Sequence, residues 1–376
     1  MIYLDNAATT SYKPPMVINA VKNALRYVSA NPGRGGHTAA MRAAYLINNT
    51  RERVADFFGC ENPDLCFFGY NCTDALNLAI MGTARNGHVV TTANEHNSVL
   101  RPLFELERRK VIKLTVLAPD AAGIVTPRMV AENLRPDTYM VCVNHVSNVT
   151  GAVSPVEEIG KITRPRRILF LVDGAQSAGH FRINMGEMKI DMLSIASHKG
   201  LHGPQGCGAL LAGSAAAAVL KPVRFGGTGT DSANVYHPRT PPEAFESGTA
   251  ATPAIAGLNA AVRYTEKNFD KNKYKTENLT EQLLKGLKNI AGVKTYTPPL
   301  SRSGVVSFNL PEISSADACT ILNEQYGICA RGGLHCAPLI HKHLDTIQTG
   351  AVRVSVSPEN TENEIEYLLK AVSELV

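Results

Sequence analysis

Four short segments of the chain set chemically competent side chains beside glycines or at the ends of apolar runs. The first is SIASHKGLHGPQGCG, residues 194–208. An apolar run stops there, the pair His198–Lys199 follows, and Gly200, Gly203, Pro204, Gly206 and Gly208 come close behind. A lysine at a rigid strand end in such a surround can meet a flat ligand at short range, because glycine lets the backbone approach closely. The second is ILFLVDGAQSAG, residues 168–179, in which Asp173 closes an apolar run. Ligand sites in open parallel sheets lie at the carboxyl ends of the strands. A carboxylate buried there needs a positive partner, and a protonated pyridine nitrogen is one. The third, GYNCTDALNLAI (residues 69–80), passes from an apolar strand through Cys72, Thr73 and Asp74 into a helical pattern. Backbone N–H groups at a helix start bind phosphate, and the Thr73 hydroxyl adds a donor. No Gly-Lys-Ser/Thr follows, so this is not a P-loop. The fourth, ANEHNSVLRP (residues 93–102), puts His96 at a strand end, where its ring can cover an aromatic ligand. Taken singly, each has an ordinary meaning: a turn lysine, a capping Asp or Thr, a structural His.

The elements that must position these residues are legible as alternation. Strand patterns fall at Leu65–Gly69, His88–Thr92, Val111–Val116, Tyr139–Asn144, Ile168–Val172, Met192–Ala196 and Gly208–Ala212. Helix patterns lie between them at Thr73–Ala84, Asn97–Arg108, Pro127–Asn133 and Pro155–Thr163. Such alternation implies an α/β fold with a mostly parallel sheet and helices on both faces. Residues 221–253 are rich in Gly, Pro, Ser and Thr and read as a long irregular segment, which inside a domain is usually functional. Helices near Pro253–Asn268, Lys275–Ile290, Ser315–Gln325 and Thr361–Leu375, with strands Gly304–Asn309 and Gly350–Val356, predict a smaller C-terminal α/β domain. The expected division is 13–262 for the large domain and 263–376, with 1–12 packed near it, for the small one.

Composition narrows the class. The 376 residues include 44% hydrophobic and 19% charged side chains, ordinary values for a globular chain with a sizeable core. Lys plus Arg is 38 and Asp plus Glu 33, a net charge of +5 that calls for no nucleic-acid partner. No basic stretch leads into an apolar core at the amino terminus, and no apolar run is long enough to span a bilayer. The eight cysteines form no CxxC pair and are expected to be reduced thiols, which points to the cytoplasm.

A phosphate seat, a flat imidazole, a carboxylate and a lysine together match the needs of pyridoxal 5'-phosphate. With them, the chain resembles fold-type I, class V pyridoxal-phosphate enzymes, and within these the cysteine desulfurase and selenocysteine lyase group. The resemblance runs from YLDNAATT (residues 3–10) to AVRVSV (residues 351–356). It implies that Lys199 holds the cofactor as a Schiff base, with His198 in the same signature. It implies further that His96 stacks on the ring, Asp173 meets the ring nitrogen, and Gln176 faces the phenolic oxygen. Asn148, in HVSNVTG (residues 145–151), matches an asparagine near that oxygen and the substrate. Thr73 matches a phosphate ligand, and Thr249, in FESGT (residues 245–249), matches a threonine donated across a homodimer interface to the phosphate. One departure is plain: the family usually has Ser or Thr three residues before the lysine, and here that place is Ala196, with Ser197 adjacent.

Residues 329–339, CARGGLHCAPL, extend the resemblance to the second group of desulfurases. Arg331 and Cys336 have that group's spacing, so Cys336 is implied as the sulfur-accepting nucleophile and Arg331 as a substrate contact. Arg353 matches the arginine that clamps the substrate carboxylate. The other seven cysteines read as small buried hydrophobes. His335, Cys336, His341 and His343 have the residue types of a zinc site, but no second ligand pair has finger-like spacing, so no metal is expected. The implied reaction converts L-cysteine to L-alanine and leaves a persulfide on Cys336 for a protein acceptor. The alternatives are selenocysteine lysis, C–S lysis of a cysteine conjugate, transamination, and a non-catalytic cofactor-binding scaffold.

Overall fold

The computed structural model describes residues 1–32, 36–230 and 232–376. In chain order come β1 (Ile2–Tyr3), α1 (Pro15–Tyr27), α2 (Thr38–Phe58), β2 (Cys66–Gly69), α3 (Cys72–Gly82), β3 (Gly87–Thr92), α4 (Asn97–Arg108), β4 (Ile112–Leu117), α5 (Pro127–Glu132), β5 (Thr138–Asn144), α6 (Val156–Thr163), β6 (Leu169–Asp173), β7 (Met192–Ala196), β8 (Gly208–Ala212) and α7 (Ser214–Ala217). There follow α8 (Thr252–Lys288), β9 (Lys294–Thr295), β10 (Val305–Asn309), α9 (Ser315–Tyr326), β11 (Ile328–Cys329), α10 (Pro338–His343), β12 (Val352–Ser355) and α11 (Glu362–Glu374).

Seven of these strands form one sheet in the order β2-β8-β7-β6-β5-β3-β4. Every residue of β5, β6, β7 and β8 is buried. Strands enclosed in this way need cover on both faces, which explains their apolar runs. The ladders from β4 through β7 are parallel, whereas β8 runs antiparallel to both β7 and β2. The reason lies in the connection: residues 197–207 are too few for a helical crossover, so the chain must turn back. That short return is the segment carrying Lys199. The strand ends agree with the sequence expectation to within a residue or two.

Two helices, α1 and α2, were not legible. In α2 three of the eight buried positions are alanines, Ala40, Ala43 and Ala55, and two more are the polar Thr50 and Arg51, which weakens the periodic signal. Its end is set by Gly59, whose φ of 65° is left-handed. The two helices expected over 253–290 are one, α8. The polar stretch between them contains no Gly or Pro, so it continues as solvent-facing turns. The described residues of 221–251 hold neither helix nor strand; Asp231 lies outside the described residues.

A second cluster of buried residues joins Leu279, Leu283, Leu284 and Leu287 of α8 to β10, β12, α9 and α11, separate from the cluster on the large sheet. Its three-stranded sheet has the order β12-β10-β9, and β1 pairs in parallel with β11. Among the described residues no helix is long and apolar enough to cross a membrane.

The irregular segment is anchored to the sheet edge by one buried ion pair. Arg51 of α2, its side chain 4% exposed, bonds Glu246 through Nη1 at 2.7 Å and Nη2 at 2.8 Å. Glu246 also accepts the Phe68 N–H at 2.6 Å, while Arg51 donates to the Cys66 carbonyl. Removing one member leaves the other charge buried and unpaired. Glu246→Ala is therefore expected to lower the unfolding free energy by about 3–5 kcal/mol in a urea titration; a loss below about 1 kcal/mol would show that the pair carries no such anchor.

Candidate active site

Carboxyl ends of β5, β6 and β7, the starts of α3 and α4, and the loop before α10 converge on a cavity of 220 Å³. It is lined by Lys199, Asp173, Gln176, His96, Thr73, Asn148, His198, Cys336, Arg331 and Arg353, which the sequence had singled out from widely separated segments. Thr249 is not among them. It is exposed and borders a larger cavity of 440 Å³ together with Arg51, Tyr70 and Glu246. Within one chain, then, Thr249 is not brought to the others.

Lys199 is half-buried, lines the cavity, and its Nζ makes no hydrogen bond or ion pair among the described residues. Burial lowers its pKa, against the opposing pull of Asp173 and Cys72. A lowered pKa raises the fraction of free amine, which is the nucleophilic form. The loop that delivers it is packed too closely for side chains: a Cβ on Gly200 would stand 2.5 Å from the Ala178 carbonyl oxygen. Asp173 ends β6, beside β7 in the sheet. Its Oδ1 accepts the Ala175 N–H at 2.8 Å and the Cys72 thiol at 3.6 Å, while Oδ2 has no partner among the described residues.

His96 caps α4. Its Nδ1 accepts the Ser98 backbone N–H at 3.0 Å and lies 2.8 Å from the Ser98 hydroxyl. A backbone N–H can only donate, so Nδ1 is the bare nitrogen and the ring proton sits on Nε2. Burial pushes the His96 pKa down to about 4, so the ring is neutral near pH 7. The Ser98 hydroxyl also meets Thr73 Oγ1 at 2.7 Å, linking the two helix starts. At α3 the Asp74 N–H is taken by Asn71 Oδ1 at 2.9 Å. The earlier N–H groups of this first turn have no intrahelical acceptor and remain available to an anion.

Gln176 donates from Nε2 to the Ala7 carbonyl at 3.0 Å, which ties the amino-terminal segment to the cavity floor. Asn148 donates from Nδ2 to the His335 carbonyl at 2.7 Å, and the Asn97 N–H donates to the Cys336 carbonyl at 2.7 Å. The loop carrying Cys336 is thus pinned on both sides of the cavity. His335 and Cys336 both take left-handed backbone angles, φ 49° and 57°. The Cys336 residue is exposed, unlike Cys60, Cys66, Cys72, Cys142 and Cys207.

Three participants were missed by sequence reasoning. Cys72 is buried as expected of a structural thiol, yet it lines the cavity and touches Asp173. Ser98 had a local signal, a hydroxyl two residues after a strand-end His, as in a helix cap. Asp5 had none, because its partner, Arg353, is distant in sequence. The place of the missing hydroxyl at Ala196 is not filled by Ser197: Ala196 lines the cavity, whereas the Ser197 hydroxyl is fully buried against Gly203 with no hydrogen-bond partner.

A cavity-lining amine in no direct ion pair, a carboxylate with one unpaired oxygen, a neutral ring and an anion seat fit pyridoxal 5'-phosphate. Fold and site together define a pyridoxal-phosphate enzyme of fold type I. The chain belongs to the aminotransferase class-V family, whose profile matches residues 2–368, and pyridoxal 5'-phosphate is its cofactor. A probable cysteine desulfurase of Methanothermobacter thermautotrophicus is 34% identical over 383 residues, covering 100% of this chain and 94% of the relative. One of Pyrococcus abyssi is 33% identical over 385 residues, with 100% and 94% covered. Among solved structures, the apo cysteine desulfurase of Thermococcus onnurineus NA1 superposes with a TM-score of 0.93 at 33% identity, covering 100% of this chain and 94% of that one.

Buried neutral histidines give the fold an acid limit. His96, His145, His180, His198, His202 and His341 are each pushed down to about 4, chiefly by burial. Unfolded, they take up protons near the ordinary histidine value of about 6.5. The unfolded chain then binds more protons, so their contribution is complete above that value and is lost as pH falls toward 4. Glu95, raised to about 8 by burial, and Asp191 and Glu359, also raised by burial, work in the opposite sense, but they are three groups against these six and the likewise lowered His88 and His335. Melting temperature measured on the apoprotein should therefore fall on acidification from pH 7 to pH 5. A flat or rising profile would contradict these assignments.

Proposed function

We propose that this protein is a cysteine desulfurase that converts L-cysteine to L-alanine and collects the sulfur on Cys336. One observation carries the reading: an exposed thiol stands on the wall of the cavity that also holds Lys199, Asp173 and Arg353. A transaminase of the same fold needs no such group.

When bound, pyridoxal 5'-phosphate supplies an aldehyde for the substrate amine and a protonated ring that draws electrons from the bonds at Cα. The chain's own residues would act as follows. Asp173 would keep the ring nitrogen protonated, and His96 would help hold the cofactor ring. Thr73 and the start of α3 hold the phosphate, and Gln176 and Asn148 stand on the side of the phenolic oxygen. Arg353 clamps the substrate carboxylate, with Arg331 adding positive charge at the same wall. Lys199, its amine driven toward the neutral, proton-accepting form by burial, takes the Cα proton. The Cys336 thiolate attacks the substrate sulfur; the new S–S bond forms as the C–S bond breaks. The carbon fragment takes up at Cβ the proton given up by the Cys336 thiol, regains the Cα proton from Lys199 and leaves as L-alanine, so thiol plus cysteine become persulfide plus alanine. A neutral His96 with its proton on Nε2 is suited to hydrogen-bond the substrate thiol.

The same reading includes a homodimer, supported by Thr249, which is exposed and outside the cavity of its own chain, where a residue donated to a partner's phosphate would lie. A division at 262/263, with residues 1–12 joining the smaller unit, is supported by the two hydrophobic clusters, although α8 runs through it unbroken. Eight free cysteines suit a reducing cytoplasm. The persulfide would pass to a protein acceptor.

Products decide between this reaction and its rivals: alanine with persulfide for desulfuration, alanine with selenide for selenocysteine lysis, pyruvate with ammonia for C–S elimination. Cys336→Ala should keep the visible cofactor band and lose at least a hundredfold of L-cysteine desulfuration, consistent with loss of a nucleophile. Lys199→Ala should lose both the native band and turnover. Full-rate desulfuration by the Cys336 variant would remove the assigned role.

A further inference from the structure

We infer that Asp5 is a positioning residue for substrate recognition: it holds the Arg353 guanidinium in the direction that receives an α-carboxylate. The inference rests on the reading of Arg353 as the carboxylate clamp and adds the group through which that clamp is set.

Arg353 is a cation in an almost closed place, its side chain 2% exposed. It lies mid-strand in β12, and burial lowers its pKa, with Asp5 opposing and the nearby Arg331 adding to the drop. An unpaired guanidinium there would be costly, and a long flexible side chain would have several directions to escape into. Two contacts remove that freedom. Nη2 pairs with Asp5 Oδ1 at 2.7 Å, and Nη1 donates to the Asn148 carbonyl at 3.1 Å. The rest of the fork, Nε included, has no partner among the described residues. Arg353 lines the cavity, so unpartnered donors on a fixed fork are what a planar carboxylate requires.

Asp5 is itself fixed from both sides. The Ser355 N–H donates to the Leu4 carbonyl at 2.7 Å, the Asn6 N–H donates to the Ser355 carbonyl at 3.4 Å, and the Ala8 N–H closes a turn on the Asp5 carbonyl at 3.1 Å. Farther on, Ala7 receives the Gln176 amide and Thr10 bonds the His198 carbonyl. One short segment therefore spans the clamp strand, the cofactor floor and the lysine loop. Through it, the direction of Arg353 is referred to the same backbone that holds the floor.

The test is a titration of the visible cofactor band of the holoenzyme with L-alanine and with ethylamine, which is L-alanine without its carboxylate. In Asp5→Asn the dissociation constant for L-alanine should rise roughly tenfold while that for ethylamine stays within about twofold, as expected when a positioning contact is lost. In an Arg353→Lys background, Asp5→Asn should add no further loss. Asp5→Glu, which keeps the charge and moves it by one methylene, should show a smaller loss of the same kind, and it serves if the Asn variant does not fold. Unchanged or tighter L-alanine binding in Asp5→Asn overturns the inference, as does equal weakening of both amines. Failure of the clamp reading looks different: Arg353→Lys would then leave the wild-type preference for L-alanine over ethylamine intact, and the inference would go with it.

Discussion

The Lys199 amine lies in a cavity without a counter-ion, and much of the architecture follows from tolerating that. Burial drives the amine toward its neutral form, while Asp173 and Cys72 pull the other way and Arg331 and Arg353 push with burial. Besides burial, the balance is set by two cations and one carboxylate around the lysine. The sheet supplies the carboxylate by adjacency: β6 and β7 are neighbours, so Asp173 and the lysine loop start from the same edge. The antiparallel return from β7 to β8 keeps the loop short, and its glycines let it pass under Ala178.

The exposed thiol comes from the other side. Cys336 belongs to a loop between the small sheet's elements, and two of its carbonyls, those of His335 and Cys336, are gripped by Asn148 and Asn97 of the large sheet's loops. The cavity is therefore closed by residues from both parts of the chain. A thiol that lines the cavity and is exposed is not packed as the five buried cysteines are. Its left-handed backbone, unusual for residues with a Cβ, is held by those hydrogen bonds.

Much of the large sheet was readable from the chain. Enclosed strands must be apolar on both faces, so β5, β6 and β7 stand out as continuous runs, and the side chains at their ends are candidates by position alone. The helices of 15–58 were not readable, because α2 packs through alanines and its register carries little contrast. The join of α8 was hidden for a related reason: a polar stretch within a helix looks like a loop until something on either side holds it straight. Residues such as Ser98 and Cys72 escaped notice because a capping serine and a buried thiol are common, and only their neighbours reveal a second role.

Local order along the chain determined the strand-end chemistry: Lys199 after β7, Asp173 at the end of β6, Thr73 and His96 at helix starts, Cys336 after paired glycines. These are consequences of apolar runs ending and polar residues following, which short-range pattern records. Tertiary structure alone decided that Asp5 faces Arg353, that the Ser197 hydroxyl turns away while Ala196 faces the cavity, and that Thr249 stays outside it. Each of those depends on where segments far apart in sequence are brought together by burial of two cores, and no spacing within one segment encodes that distance.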